Sequence, residues 1–173
     1  MKKYLLYFTL LSLLTIGFNS CGYKPSSKFS RNVTGEKIST SVYISLVDPE
    51  NTVIIKDAVD AAVVSVFHNS LVERKDADTH LDIQMSSPAY TPIQYNSDGY
   101  VIGYRARVVL HITRESGTEK KAYTSYGTYD FSVEPNAIIT DQERFNAIKY
   151  SAAKAIDSFI AKVSAEGSLK NRE

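Results

Sequence analysis

Alternation of apolar and polar side chains through the middle of the chain restricts the fold more than any other feature of this sequence. Apolar or aromatic residues recur at alternate positions in three segments, Ala77–Ser86, Tyr100–Arg114 and Tyr123–Phe131. A period of two predicts β-strands that each bury one face and expose the other. The turn signals Asn96–Gly99 and Ser116-Gly117 precede the second and third segments, so we expect consecutive strands joined by hairpins.

The pairing register of these hairpins depends on whether each loop has an even or an odd number of residues. A slip of one residue would move every side chain to the opposite face. An even-numbered loop at the first turn pairs Ile83 with Ile112 or its neighbour on the same face. An even-numbered loop at the second turn pairs Leu110 with Tyr123. Both choices give one apolar and one polar face across all three strands. The sequence therefore predicts a long antiparallel meander.

Three further segments complete the predicted domain. Val42–Leu46 alternates as a first strand, and Val53–Phe67 has apolar residues at helical spacing. A capping box at Thr140–Glu143 begins a second helix, which we expect to fray near Gly167. The predicted fold class is α+β, with a four-stranded antiparallel or mixed sheet, long meander hairpins and two helices packed on one face.

The N-terminus has the pattern of a bacterial secretory signal. Lys2 and Lys3 precede the apolar run Tyr4–Phe18, which is shorter than the roughly 20 residues that a membrane-spanning helix needs. Phe18–Cys21 resembles the lipobox, in which the cysteine becomes acylated. Cys21 is the only cysteine, so an internal disulfide and a cysteine-based zinc site are excluded. The predicted organisation is a lipoprotein signal peptide (1–20), a lipid-anchored tether (21–37), one domain (38–165) and a frayed tail (166–173).

The polar face of the predicted sheet has no element left to cover it. Two helices can cover one face of a sheet, and both are needed for the apolar face. The other face is expected to carry Tyr90, Arg105, Arg107 and Tyr126. We therefore expect another molecule to cover this surface.

The order of these parts resembles the LptE family, the lipoprotein partners of the outer-membrane lipopolysaccharide-assembly barrel LptD. Cys21–Tyr23 matches the start of the mature chain. Val53–Ala58, Asp98–Ile102, Tyr129–Phe131 and the Arg144–Phe159 helix are similar to versions of the family from the Campylobacter-like lineage. The resemblance extends over nearly all of the mature chain.

The resemblance implies a role that is not enzymatic. Members of the family plug the LptD barrel, assist its assembly and contact lipopolysaccharide during insertion into the outer leaflet. The expected location is the periplasmic face of the outer membrane, with no cofactor other than covalent lipid on Cys21. The nearest candidates for lipopolysaccharide contact are Arg105, Arg107, Arg114, Lys120 and Lys121. The candidates for barrel contact are Tyr90 and Tyr126.

Other functions find less support in the sequence. A formal net charge of +1 disfavours general nucleic-acid binding. Asp76, Asp78, His80 and Asp82 would line one face of an extended strand, but ligands on one flat face cannot surround a metal ion. No metalloprotease, nucleophile-elbow or phosphate-loop motif is present. Two alternatives stay open, namely another lipid-anchored envelope-assembly or peptidoglycan-binding module and a lipid-anchored hydrolase.

Overall fold

The computed structural model describes residues 34–44, 52–67 and 70–170. The signal segment, Cys21, most of the tether and Leu46 lie outside these residues. A short 3₁₀ turn at Arg74–Asp76 precedes the second strand. The strands and helices are β1 (Ile38–Ile44), α1 (Thr52–Phe67), β2 (Thr79–Met85), β3 (Ala89–Tyr95), β4 (Val101–Ser116), β5 (Glu119–Ser132) and α2 (Asp141–Lys170).

The sheet is organised around β4, which is 16 residues long and spans about 50 Å. Strand β5 pairs antiparallel with one side of β4, while β2 and β3 pair end to end with the other side. Strand β1 pairs parallel with β2 at the edge. The α+β class, the mixed sheet and the two helices on one face are confirmed. The described sheet has five strands and not four, because Ala89–Tyr95, which was not predicted as a strand, forms β3.

The division between β2 and β3 reverses the faces of the residues that follow it. Ile83 pairs with Ile112 as predicted, but Tyr90 pairs with Ala106, so the register has moved by one residue between the two strands. Ala106 is fully buried on the helix side of the sheet. The expectation that Tyr90 lies on the uncovered face is therefore wrong. Its ring contacts Phe131 edge-on, with the ring centroids 6.4 Å apart, on the helix side.

The second hairpin turns one residue later than predicted. Ser116 pairs with Glu119 across the two-residue loop Gly117-Thr118, and Gly117 has a φ of 57°. A glycine with positive φ at the first loop position is typical of a type II′ turn, which matches the twist of the flanking strands. Ile112 consequently pairs with Tyr123, where Leu110 was expected. The predicted register is wrong by two residues, and a shift of two leaves every side chain on its predicted face.

Helix α2 approaches the sheet most closely at Gly127 of β5. A Cβ atom built on this glycine would lie 2.1 Å from the carbonyl oxygen of Ser151 and 2.6 Å from the amide nitrogen of Ala155. The Ser151 hydroxyl also donates a hydrogen bond to the carbonyl of Ala106 in β4 at 3.3 Å. This contact sets the helix over β4 and β5. The principal core side chains are Val59, Val63, Leu81, Ile83, Met85, Val108, Leu110, Ile112, Ile148, Ile156, Phe159 and Val163.

Side-chain interactions stabilise both ends of α2. The Glu143 amide donates to the Thr140 hydroxyl at 3.3 Å, and the Thr140 amide donates to the Glu143 carboxylate at 2.7 Å, so the predicted capping box is present. At the other end, the Glu166 carboxylate accepts from the Tyr123 hydroxyl and pairs with Lys121, both at 2.8 Å. The helix therefore continues to Lys170, beyond the fraying expected near residue 167.

The last residues of the predicted tether contact the folded domain. The amides of Glu36 and Lys37 each donate to the Asp78 carboxylate at 3.0 Å. These two bonds, that of Lys37 first, lower the pKa of Asp78. Gly35 has a φ of 73° and lies against the Asp78 side chain, where a Cβ would clash at 2.5 Å. Asp78 thus fixes the point at which the chain enters the sheet.

Strand β5 is an edge strand that receives one bond from the helix above it. The Lys162 ammonium group of α2 donates to the backbone carbonyl of Thr124. This carbonyl is therefore occupied on a strand that pairs with β4 alone among the described strands.

We predict that Gly127→Ala lowers the free energy of unfolding by about 1–3 kcal/mol, because the new methyl group overlaps helix backbone that cannot move independently. Chemical denaturation measures this loss. Gly103→Ala is the matched control, since its methyl group would lie 3.1 Å from the Gln94 Cβ atom, a contact that a shift of a few tenths of an ångström relieves. Equal losses in the two variants would contradict the close helix contact.

We predict that Asp78→Asn removes part of the acid dependence of stability. A carboxylate whose pKa is lowered by folding stabilises the native state above its unfolded pKa of about 4. This contribution is lost as the pH falls through the folded pKa. Unfolding free energies measured from pH 7 to pH 2 should therefore be lower for the variant at neutral pH and converge with the wild type in acid. Asp76→Asn is the control, and parallel curves for Asp78→Asn and the wild type would refute the prediction.

Candidate interaction surface

The sheet face opposite the helices, here called the open face, forms a continuous polar surface. Odd-numbered residues of β4 and even-numbered residues of β2 and β5 lie on it, because alternate side chains of a strand face opposite sides. In the described part of the chain, α1 and α2 contact the other face, and the core lies between them and the sheet. The open face comprises Ser39, Ser41, Tyr43, His80, Asp82, Gln84, Arg105, Arg107, Val109, His111, Thr113, Glu115, Lys120, Thr124, Tyr126, Thr128 and Asp130.

Arg105 is compensated by a neighbour on β5. Its guanidinium group donates two hydrogen bonds to the Asp130 carboxylate, both at 2.7 Å. The bidentate pair lowers the pKa of Asp130. Both side chains are about half exposed, so solvent screens the pair and its contribution to stability is small. The pair leaves little net charge at this end of the open face.

Arg107 differs from Arg105 because it stacks on an aromatic ring. Its guanidinium carbon lies 4.8 Å from the centroid of the Tyr126 ring, and Tyr126 is 58% exposed. None of the ion pairs between described residues includes Arg107. A cation–π contact orients the guanidinium group without neutralising it. The centre of the open face therefore presents an oriented positive charge beside an exposed tyrosine.

A shallow cleft lies where the chain leaves β2. It measures about 430 Å³ and is lined by Gln84, Met85, Ser86, Ser87 and His111. His111 connects β4 to both neighbours, with Nε2 3.3 Å from the Ser86 hydroxyl and Nδ1 3.2 Å from the Thr124 hydroxyl. The cleft offers hydroxyl, amide and imidazole groups for hydrogen bonding, and no lysine, arginine or acidic residue lines it.

His80 is at the centre of a buried polar cluster on the same face. Its Nδ1 lies 2.7 Å from the Ser39 hydroxyl, and its Nε2 lies 3.2 Å from both the Ser41 hydroxyl and the Asp82 carboxylate. A serine, a histidine and an aspartate are thus within hydrogen-bonding distance, as in hydrolases. Ser39 is only 3% exposed, however, and a nucleophile must be reached by its substrate. The cluster connects β1 to β2.

The acidic residues considered as metal ligands are drawn into separate interactions. Asp76 lies in the 3₁₀ turn, Asp78 binds two backbone amides, and His80 with Asp82 belongs to the polar cluster. Among the described residues, no group of three histidine, cysteine or acidic side chains converges on a point.

Arg114, a predicted lipopolysaccharide contact, is in the interior. It is 1% exposed on the helix side of the sheet and donates to the Glu119 carboxylate at 2.8 Å. Its even number places it with Ile112 on the face that packs against the helices. The expectation that Arg114 is accessible to an external ligand is therefore wrong.

The two lysines of the second hairpin lie on opposite faces. Lys120 is on the open face, 2.6 Å from Glu115, whereas Lys121 is on the helix side, 2.8 Å from Glu166. Arg105, Arg107 and Lys120 therefore share a face, but Lys120 is about 30 Å from the two arginines along the strands. The predicted basic residues do not form one cluster.

The sequence prediction missed a group of exposed apolar side chains at the end of the first hairpin. Ile93, Tyr95 and Tyr100 are 42%, 57% and 48% exposed. Two tyrosines flanking the turn signal Asn96–Gly99 were visible in the sequence, but β3 was not recognised as a separate strand.

These features define an α+β domain in which one sheet face and one hairpin end are not covered by the described helices. The chain belongs to the LptE (lipopolysaccharide-assembly) family, whose sequence model matches residues 39–163. This membership assigns the chain to the lipoproteins of lipopolysaccharide assembly. No helix in the described ranges is long and apolar enough to cross a bilayer.

Solved structures of several lipoproteins are similar to this chain. Rare lipoprotein B from Shewanella oneidensis is 14% identical, with a TM-score of 0.46 over 78% of this chain and 99% of that one. A minor lipoprotein from Acinetobacter baumannii is 12% identical, with a TM-score of 0.41 over 76% and 92%. Lipoprotein B from Nitrosomonas europaea is 12% identical, with a TM-score of 0.39 over 85% and 93%. No curated protein sequence matches the chain.

We predict opposite outcomes for two arginines of β4. Arg114→Ala should lower the free energy of unfolding by about 2–4 kcal/mol, because it removes a fully buried side chain and its ion pair. Arg107→Ala should change it by less than about 1 kcal/mol, since Arg107 is exposed. Urea denaturation of both variants tests the assignment of faces, which would be wrong if Arg107→Ala were the more damaging change.

Proposed function

We propose that this protein is an outer-membrane lipoprotein that binds an LptD-like barrel, assists its assembly and helps to insert lipopolysaccharide into the outer leaflet. The observation that carries the proposal is the open face, a polar surface with an uncompensated arginine that no described element covers. The oriented guanidinium group of Arg107 and the exposed ring of Tyr126 give this face a charge and an aromatic contact area that a partner could use. Membership of the family supports the same role.

The proposed anchor is covalent lipid on Cys21 at the periplasmic face of the outer membrane. Residues 22–33 separate Cys21 from the first described residue, and a chain of twelve residues can extend over at most about 40 Å. This length is sufficient for the domain to lie clear of the headgroups. Two or more acyl chains hold a protein stably on a membrane.

The barrel contact is proposed for the exposed part of the open face. Tyr126 combines contact area with a hydroxyl group that can bond to a polar lumen wall. Tyr90 stays a candidate only at its partly exposed position on the helix side.

Lipopolysaccharide contact is proposed chiefly for Arg107. Phosphate groups of lipid A would pair with a guanidinium group, which is planar and permanently charged. Arg105 and Lys120 lie on the same face but are engaged by Asp130 and Glu115, so binding there would have to compete with an existing ion pair. Lys121 is paired on the helix side, and Arg114 is withdrawn from the proposal because it is buried.

Co-purification tests the partnership. A tagged full-length chain, extracted from outer membranes in mild detergent, is expected to recover a barrel protein in stoichiometric amount. Cys21→Ala should reduce the recovery, because the protein would no longer be held at the membrane. Recovery of peptidoglycan fragments in place of a barrel would contradict the proposal and support the alternative of a peptidoglycan-binding module.

We predict that Arg107→Ala weakens lipopolysaccharide binding by about tenfold, which corresponds to the loss of one charge-assisted hydrogen bond. Surface plasmon resonance with immobilised lipopolysaccharide measures the change. Arg107→Lys should recover part of the affinity because it keeps the charge. The matched control is Lys149→Ala on the helix side, where the Lys149 ammonium likewise lies over a tyrosine ring, at 5.8 Å. Equal effects at the two positions would remove the assignment of Arg107.

A further inference from the structure

The end of the β3–β4 hairpin, residues 93–102 and here called the hairpin tip, exposes large side chains to solvent. Tyr95 and Tyr100 flank the turn, and Ile93 precedes them on β3. All three are more than 40% exposed. Tyrosine is enriched among the residues that contribute most to protein interfaces. The tip therefore has the composition of a protein interface, and its exposed side chains are candidates for contact with a partner.

The turn at the tip is fixed by its own hydrogen bonds. The Asn96 side-chain oxygen accepts from the amides of Asp98 and Tyr100, at 3.1 and 2.9 Å. The Asn96 amide donates to the Tyr100 carbonyl, and the Gly99 amide donates to the Asn96 carbonyl. Gly99 has a φ of 83°, which suits glycine. Binding through this turn would lose little conformational entropy, because the conformation already exists.

Two register shifts direct side chains out of the regular ladder. They occur between Pro92 and Gln94 and between Gln94 and Tyr95, within four residues of β3. Bulges of this kind change the direction in which a side chain points and are common next to functional sites. Pro92 also has no amide hydrogen, which limits strand addition at this edge. These features favour contacts through the side chains of the tip over the addition of another strand at this edge.

An aromatic cluster supports the tip from the helix side. The Phe131 ring stacks on Tyr104 at 6.0 Å and meets Tyr90 edge-on at 6.4 Å. The Val133 amide donates to the Ile102 carbonyl at 3.1 Å and joins the end of β5 to the hairpin. These contacts hold the base of the hairpin against β5 and so fix the position of the tip relative to the sheet.

Charge disfavours an anionic lipid surface as the occupant of the tip. From Ala89 to Tyr104 the only ionisable side chain that is charged at neutral pH is Asp98. Binding to anionic headgroups relies on lysine and arginine, which this segment lacks. An acidic group between two tyrosines complements a protein surface that offers a basic side chain within an apolar or hydrogen-bonding recess.

The position of the tip also favours a protein. The chain enters the domain at Ile38, beside Thr79, and that end of β2 pairs with the C-terminal end of β4. The tip is at the N-terminal end of β4, about 50 Å away. The tip therefore lies at the end of the sheet that is remote from the attachment of the tether.

We propose that the hairpin tip is a preformed docking finger, with Tyr95 and Tyr100 as its anchors, that inserts into a recess of a protein partner with a basic side chain opposite Asp98. The inference rests on the proposed partnership with a barrel and adds which end of the domain makes the deepest contact. The residues of the tip are separate from Arg107 and Tyr126 on the open face.

Site-specific photocrosslinking tests the position of the contact. A photoreactive phenylalanine analogue replaces Tyr95 or Tyr100 in the full chain in cells, and Tyr150, which is 45% exposed on α2, is the matched control position. Crosslinks to the barrel protein from positions 95 and 100, with few from position 150, are expected. Crosslinks only to lipid, or to a second copy of this chain, would overturn the proposal.

Affinity provides a second measurement. The double variant Tyr95→Ala and Tyr100→Ala is expected to lower recovery of the barrel at least tenfold, whereas Tyr150→Ala leaves it unchanged. Asp98→Asn should weaken recovery less and reduce its salt dependence. A thermal melt within a few degrees of the wild type verifies folding. Normal recovery by the double variant would refute the docking finger and leave the proposed function intact, whereas failure of the wild type to recover a barrel would refute the proposed function itself.

Discussion

The alternation of side chains along β4 determines which groups of this protein face its core and which face away from it. Even-numbered residues from Ala106 to Arg114 are buried under the helices, and odd-numbered residues carry the open face. Helix α2 contacts the backbone of β5 at Gly127, and this contact fixes the helix on the side of the sheet that carries the even-numbered residues of β4. The other side of the sheet is left as a surface that the described helices do not cover.

Sequence alone predicted the parts of this fold that depend on periodicity. The two helices, the capping box at Thr140 and the apolar faces of β2 and β4 follow from spacing, and spacing is preserved in the structure. The errors come from single-residue changes in phase. The irregular segment between Met85 and Ala89 reversed the face of Tyr90, and no periodic signal marks a break of that length. Alternation itself could have warned that Arg114 shares a face with Ile112.

The candidate site was less predictable than the fold, since it depends on which charges are compensated. Arg105 and Arg107 are two residues apart on one face and are identical in type, yet one forms a bidentate ion pair and the other stacks on a ring. That difference comes from the neighbours of the two arginines on β5. These neighbours can be identified only when the pairing register of β4 and β5 is known to the residue. The hairpin tip was missed for a related reason, because its register shifts have no counterpart in composition.

The bond from Lys162 to the Thr124 carbonyl affects how copies of this protein can interact with one another. A strand with unoccupied carbonyl and amide groups is a template for pairing with other chains, and a lysine placed against it discourages such pairing. With this acceptor engaged, the Thr124 position of the β5 edge is not available to pair with the sheet of a second copy. The helix that covers the core therefore also limits sheet-to-sheet aggregation at this position.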